Sequence, residues 1–121
     1  MKRKLGFVEA ELKFYIAEII IALELIHNDN VIYRDLKPEN VMIAGDGHIK
    51  FVDFGFTKKL NDIHKDMTYT TWGTQAYISP EILLGIGHSY KTDIWSLGVL
   101  IWEIWGGFAP FMDSNPQKMN N

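Results

Sequence analysis

The sequence predicts a mainly α-helical protein with one small β-hairpin and a long polar loop, and three observations lead there. Leu12, Ile16, Ile19, Leu23 and Ile26 recur at spacings of four, three, four and three, so an apolar stripe runs along a helix over residues 7–27. Val41-Met42-Ile43 and Ile49-Lys50-Phe51-Val52 flank Gly45-Asp46-Gly47, whose glycines accept the positive φ of a tight hairpin turn. Residues 92–105 are apolar on nearly all faces of a helix, which predicts a segment inside a larger helical body, with Trp95, Trp102 and Trp105 in its core.

The remaining elements follow in chain order. Asn28-Asp29-Asn30 ends the first helix, and Val31-Ile32-Tyr33 follows as a brief extended segment. Residues 57–79 are polar, carry Thr57, Thr68, Thr70, Thr71 and Thr74, and lack periodicity, as expected of a long surface loop. Pro80 is placed to open a short helix through Leu84, which Gly85-Ile86-Gly87 breaks. Asp93, at the start of the apolar helix, is expected to cap it, and Gly106-Gly107 to stop it. The Asn- and Pro-containing stretch 113–121 is expected to be a loose tail after a domain over 1–112.

Composition narrows the function classes. The chain has 121 residues, of which 47% are hydrophobic and 22% charged, which suits one small globular domain with its own core. A net charge of −3 gives no reason to expect nucleic acid or an anionic membrane surface as a partner. With no cysteine there is no disulfide framework, and the basic Met1-Lys2-Arg3-Lys4 is followed by apolar residues interrupted by Glu9, Glu11 and Lys13 rather than by a signal core. A cytoplasmic, intracellular location is the expectation. The histidines at 27, 48, 64 and 88 form no ligand spacing, so zinc is not expected.

Two strings carry chemistry: Tyr33-Arg34-Asp35-Leu36-Lys37-Pro38-Glu39-Asn40, and Asp53-Phe54-Gly55. A hydroxyl that attacks a γ-phosphate needs orientation and a proton acceptor, which a loop carboxylate such as Asp35 supplies. Lys37 is placed to neutralise charge on the transferred group, and Asn40 offers an oxygen to a hard cation such as Mg²⁺. Pro38, with its fixed φ, stiffens the loop that bears all three. The hairpin between the strings is able to bring Asn40 and Asp53 to one mouth.

In order and spacing, these strings resemble the catalytic loop and metal-binding motif of a eukaryotic protein kinase. Tyr33 stands where that family's motif has His, which is similar to the cyclic-nucleotide-dependent serine/threonine branch. Val52 through Lys59, Trp72-Gly73-Thr74 and Asp93 through Leu100 are similar to the same branch. The resemblance covers residues 5–111 and implies a partial C-terminal lobe, with residues 57–79 as its activation segment. It implies Asp35 as catalytic base, Lys37 on the γ-phosphate, Asn40 and Asp53 as Mg²⁺ ligands, and Met42 under the adenine of ATP, with Glu39 also at the nucleotide side. Thr74 would bridge Asp35 and Lys37, marking a kinase for Ser/Thr acceptors, and Asp93 would accept hydrogen bonds from the catalytic-loop backbone. Arg34 and Lys58 would form a cationic pocket for a phosphate on Thr70, with Thr71 as second choice. Glu39 and Glu103 match carboxylates that receive a basic residue upstream of the acceptor in a protein substrate; Gln75 and Ser79 depart from the branch's pattern near that peptide site.

No Gly-x-Gly-x-x-Gly loop, strand Lys or helix Glu of the family's N-terminal lobe occurs in the sequence, so negligible turnover is expected of these residues alone. Two other readings fit the same residues: a noncatalytic kinase remnant acting as a protein-interaction module, and a truncated gene product without independent activity.

Overall fold

A computed structural model describes residues 7–71 and 73–112; the basic start, Trp72 and the expected loose tail over 113–121 lie outside the described residues. Helix α1 spans Glu9–Asn28, and its apolar stripe buries Leu12, Ile19 and Leu23. At its start the Glu11 carboxylate accepts the Val8 N–H at 3.0 Å, satisfying a donor outside the helix ladder. At its end Asp29 is the C-cap and Asn30 turns to φ 60°, a region that Asn tolerates better than most residues. Asn30 also ties down a later segment, its carbonyl accepting Leu60 N at 2.8 Å and its Oδ1 accepting Ile63 N at 3.0 Å.

Four short strands form two antiparallel pairs. β1 (Val31–Ile32) pairs with β4 (Lys58–Lys59), Val31 opposite Lys59. β2 (Val41–Ile43) and β3 (Ile49–Phe51) form the expected hairpin, with Val41 opposite Phe51 and Ile43 opposite Ile49. Glu18 of α1 fastens this hairpin, accepting Ile49 N at 2.9 Å and meeting His48 Nδ1 at 2.5 Å.

Residues 57–79 are more structured than their polarity predicts. β4 lies within them, and Leu60 and Ile63 are buried against Ile32 in a small second core. Thr68 and His88 exchange backbone hydrogen bonds at 2.9 Å in both directions, and a 3₁₀ turn covers Gln75–Tyr77. The buried apolar side chains Leu60, Ile63 and Tyr77 hold this polar stretch down, which composition averaged over the stretch conceals.

α2 covers Pro80–Leu83, with Pro80 at its first turn, and α3 covers Lys91–Gly106. Leu97, Val99 and Leu100 of α3 pack with Ile19, Leu23, Tyr33, Leu36 and Tyr77 as the main core. Two expectations fail on this helix. Tyr90, not Asp93, is the N-cap residue; Asp93 sits a turn further in, and its carboxylate serves another segment. The tryptophans are not all core either: Trp102 is 54% and Trp105 43% exposed, while Trp95 is half-buried and stacks on Phe111 at 5.4 Å. Among the described residues only one side of α3 is covered, so hydrophobicity around the whole helix overstated its burial.

Candidate functional site

The loop after β1 enters the core before it turns out. Tyr33 and Leu36 are fully buried anchors, and the intervening Arg34 and Asp35 are carried in with them. The Tyr33 ring lies 4.9 Å from that of Phe51 and 5.5 Å from that of Phe54, and its hydroxyl donates to the Val52 carbonyl at 2.6 Å. Burial, and then the charges of Asp35, Asp53 and Asp93, push the Tyr33 pKa up, so the hydroxyl stays a donor. One side chain thereby joins the loop to the segment that leads into Asp53.

Asp93 clamps the start of this loop. Wholly buried, it accepts Tyr33 N at 2.9 Å and Arg34 N at 2.8 Å, and its Oδ2 stands 2.7 Å from His27 Nε2. The two accepted backbone bonds help hold Arg34 at φ 66°, a left-handed conformation that costs a non-glycine residue about 1–3 kcal/mol. Asp53 is left-handed too, at φ 62°. Left-handed backbone at both strings re-aims the chain sharply where the polar side chains must converge.

The convergence centres on Asp35. Asn40 Nδ2 donates to its Oδ2 and to its backbone carbonyl, both at 2.8 Å, from a 3₁₀ turn over Pro38–Asn40. Thr74 Oγ1 donates to Asp35 Oδ1 at 3.2 Å and accepts from Lys37 Nζ at 2.9 Å, leaving the ammonium 3.7 Å from Asp35 Oδ1. Thr74 reaches this loop because Gly73 precedes it: at φ 133° a residue with a side chain would be strained there.

Asn40 is tied to the hairpin's far end by Val52 N, which donates to its carbonyl at 3.0 Å, and Asp53 is the next residue. Asp53 is exposed, with Oδ1 accepting Gly55 N at 3.0 Å and its second oxygen open. Asn40 commits its amide nitrogen to Asp35, which leaves its amide oxygen as a ligand atom for a cation. An amide oxygen and a carboxylate oxygen are hard ligands of the kind Mg²⁺ takes alongside water and phosphate oxygens. Among the described residues no group of three or more His, Cys, Asp or Glu side chains is arranged to hold a metal alone.

The other candidate residues lie around this centre. Met42 is exposed on β2, and Glu39 is exposed on the 3₁₀ turn. Glu103 accepts the Tyr77 hydroxyl; burial first, and then the charge of Glu39, push its pKa up, so the two carboxylates are within electrostatic range. Arg34 directs Nε to the Phe56 carbonyl at 2.7 Å and Nη1 to the Thr70 carbonyl at 3.5 Å; burial pushes its pKa down and Asp93 opposes that. Thr70 is exposed, its hydroxyl 3.4 Å from that of Thr68. Lys58, expected beside Arg34, is exposed on β4, and among the described residues its side chain makes no polar contact with Arg34 or Thr70.

Sequence reasoning passed over three groups here. His27 continues the Ile19, Leu23 spacing by four and so faces the core, a signal that was available. Ser79 and Thr92 share a buried hydroxyl contact at 2.8 Å, and Ser96 donates to the Tyr77 carbonyl at 3.0 Å. His88 is the third, buried beside Thr68.

Comparison with known proteins shows the family. Residues 1–121 match the protein kinase domain family. The chain is 45% identical, over all its 121 residues, to the cAMP-dependent protein kinase catalytic subunit of Dictyostelium discoideum, covering 18% of that protein. It is 52% identical over 103 residues to the human cAMP-dependent protein kinase catalytic subunit PRKX, covering 85% of this chain and 28% of that one. Over 110 residues it is 50% identical to the cAMP-dependent protein kinase catalytic subunit 3 of Drosophila melanogaster, covering 91% of this chain and 18% of the relative. It thus spans less than a third of the length of each of these relatives.

Proposed function

The chain belongs to the protein kinase domain family, and on that premise we propose that it carries the base and metal-binding side of an ATP-dependent serine/threonine phosphotransfer site. The observation that carries this proposal is the convergence on Asp35 of Asn40, Thr74 and Lys37 through bonds of 2.8–3.2 Å and an ion pair of 3.7 Å. Asp35 orients the acceptor hydroxyl and takes its proton; Lys37 faces the γ-phosphate; Thr74 fixes the spacing of the two. Asn40 and Asp53 would hold Mg²⁺, whose contribution is positive charge on the phosphate oxygens. Met42, exposed on β2, supplies an apolar seat for adenine, with Glu39 and Lys37 toward the phosphates. In this reading the described elements are part of a kinase C-terminal lobe, and residues 57–79 are its activation segment.

Protein substrates are the acceptors, and the Glu39–Glu103 pair favours a basic residue upstream of the target hydroxyl, since two nearby carboxylates attract a cation and Glu103 is pushed up by burial and then by Glu39. Thr70 is the modified position of the segment, with Arg34 beneath it. An intracellular location fits a substrate that only the interior supplies, ATP.

Calorimetry with Mg-ATP tests the proposal. Asp53→Ala is expected to weaken binding at least about tenfold, the scale of one lost charge-assisted ligand; equal affinity for both proteins would remove Asp53 from the site. Turnover of the isolated chain on a Ser/Thr peptide is expected to be negligible, because no Gly-rich phosphate loop occurs in its sequence. Measurable transfer abolished by Asp35→Asn would overturn that expectation while upholding the base.

A further inference from the structure

Residues 67–70 are held against the turn that precedes α3. Thr68 and His88 exchange two backbone hydrogen bonds of 2.9 Å. Beside them Gly87, at φ 91°, stands so close to Tyr69 that an ideal Cβ would lie 2.9 Å from its ring, so no other residue allows this approach without displacement. His88 is only 3% exposed, and among the described residues its Nε2 has no hydrogen-bond partner. A buried polar nitrogen left unpaired costs about 1–3 kcal/mol, which a hydrogen-bonding ligand would recover.

We propose that His88 is a second cationic partner, beside Arg34, for a phosphate carried on Thr70. The proposal rests on the reading of Thr70 as a phosphorylated position. The modification transfers the γ-phosphoryl group of ATP to Thr70 Oγ1. The bond from the γ-phosphorus to its bridging oxygen breaks, the Oγ1–P bond forms, ADP leaves and the hydroxyl proton is released.

The electrostatics of the unmodified chain favour the neutral imidazole. Burial first, and then the Arg34 guanidinium, push the His88 pKa below its ordinary value, against the smaller opposing pull of Glu81 on α2 and Asp93 on α3. Lys91 of α3 lines the same groove. A phosphate of charge about −1.5 to −2 reverses that balance and brings oxygen acceptors to a site with an idle nitrogen. Arg34 stands 3.5 Å from the Thr70 carbonyl, and His88 is paired through its backbone to Thr68, whose hydroxyl lies 3.4 Å from that of Thr70.

The test uses the full chain with phosphothreonine installed at position 70 and ¹³C-labelled histidine, followed by NMR across pH. The His88 titration midpoint is expected to rise by about one pH unit or more relative to the unmodified chain. The ³¹P midpoint of the phosphate is expected to return toward that of free phosphothreonine in His88→Gln. An unchanged His88 midpoint, with a ³¹P midpoint that still responds to Arg34→Lys, would sink the role of His88 and leave the Arg34–Thr70 reading standing. A phosphate indifferent to both residues would sink both. Should His88→Gln not fold, the His88 titration in the native sequence decides alone.

Discussion

Asp93 shows how one residue governs a loop it does not belong to. Its single buried carboxylate serves Tyr33 N, Arg34 N and the His27 ring, so its removal leaves two backbone donors unsatisfied in the core and frees Arg34 from a conformation it would not otherwise choose. Asp93→Ala is therefore expected to destabilise the fold by about 3–5 kcal/mol in urea unfolding, whereas Asp93→Asn, which keeps one acceptor oxygen, costs about 1–3 kcal/mol. Equal losses would mean that packing volume, not hydrogen bonding, is what Asp93 contributes. The sequence resemblance anticipated the backbone bonds of Asp93, while the cap expected from its position did not form. Carboxylates near a helix start suit capping only when the residue lies outside the helix, and here Tyr90 is already there.

At the scale of elements, the hairpin over β2 and β3 depends on α1 through Glu18. Its hydrogen bond to His48, and then that from Ile49 N, push the Glu18 pKa below the ordinary 4.5, while Glu18 pushes the His48 pKa above the ordinary 6.5. The sign follows for each. The raised His48 stabilises the native fastening fully below pH 6.5 and loses that contribution as pH rises through its folded value; the lowered Glu18 contributes above 4.5 and loses it as pH falls through its own. Asp46 at the hairpin tip adds to the pull on His48. Hydrogen exchange should thus show protection of the Ile49 amide greatest between those values and declining above 6.5, with the upper decline absent in His48→Gln; a decline identical in both proteins would exclude the bridge. The hairpin itself was legible because Gly45-Asp46-Gly47 lies between apolar runs, and the Asp35, Lys37, Asn40, Thr74 centre because its residues fall in strings of fixed spacing. The fastening by Glu18 and the place of His88 were not, since the one pairs side chains and the other backbone groups far apart in the chain, with no motif around either. Lys58, placed near Arg34 by the resemblance, lies exposed on β4 opposite Ile32.

For the molecule as a whole, the side of α3 left uncovered among the described residues is the dominant surface property. Ile94, Trp102 and Trp105 are exposed there, followed by exposed Phe108, Phe111 and Met112, and an apolar groove runs between Trp95, Trp102 and Phe111. A contiguous surface of large apolar side chains drives association, and a net charge of −3 on 121 residues opposes it only weakly. The isolated chain is accordingly expected to self-associate at micromolar concentration, as seen by sedimentation velocity, and to bind a hydrophobic dye. Trp102→Lys combined with Trp105→Lys replaces the two most solvent-directed rings of the helix by charges and leaves Leu97, Val99 and Leu100 in the core. The double variant should sediment as a monomer with an unchanged far-UV circular dichroism spectrum and several-fold less dye bound. Oligomers persisting in that variant would place the associating surface elsewhere, and a monomeric native sequence at the same concentration would show that the aromatic face of α3 tolerates water as it stands.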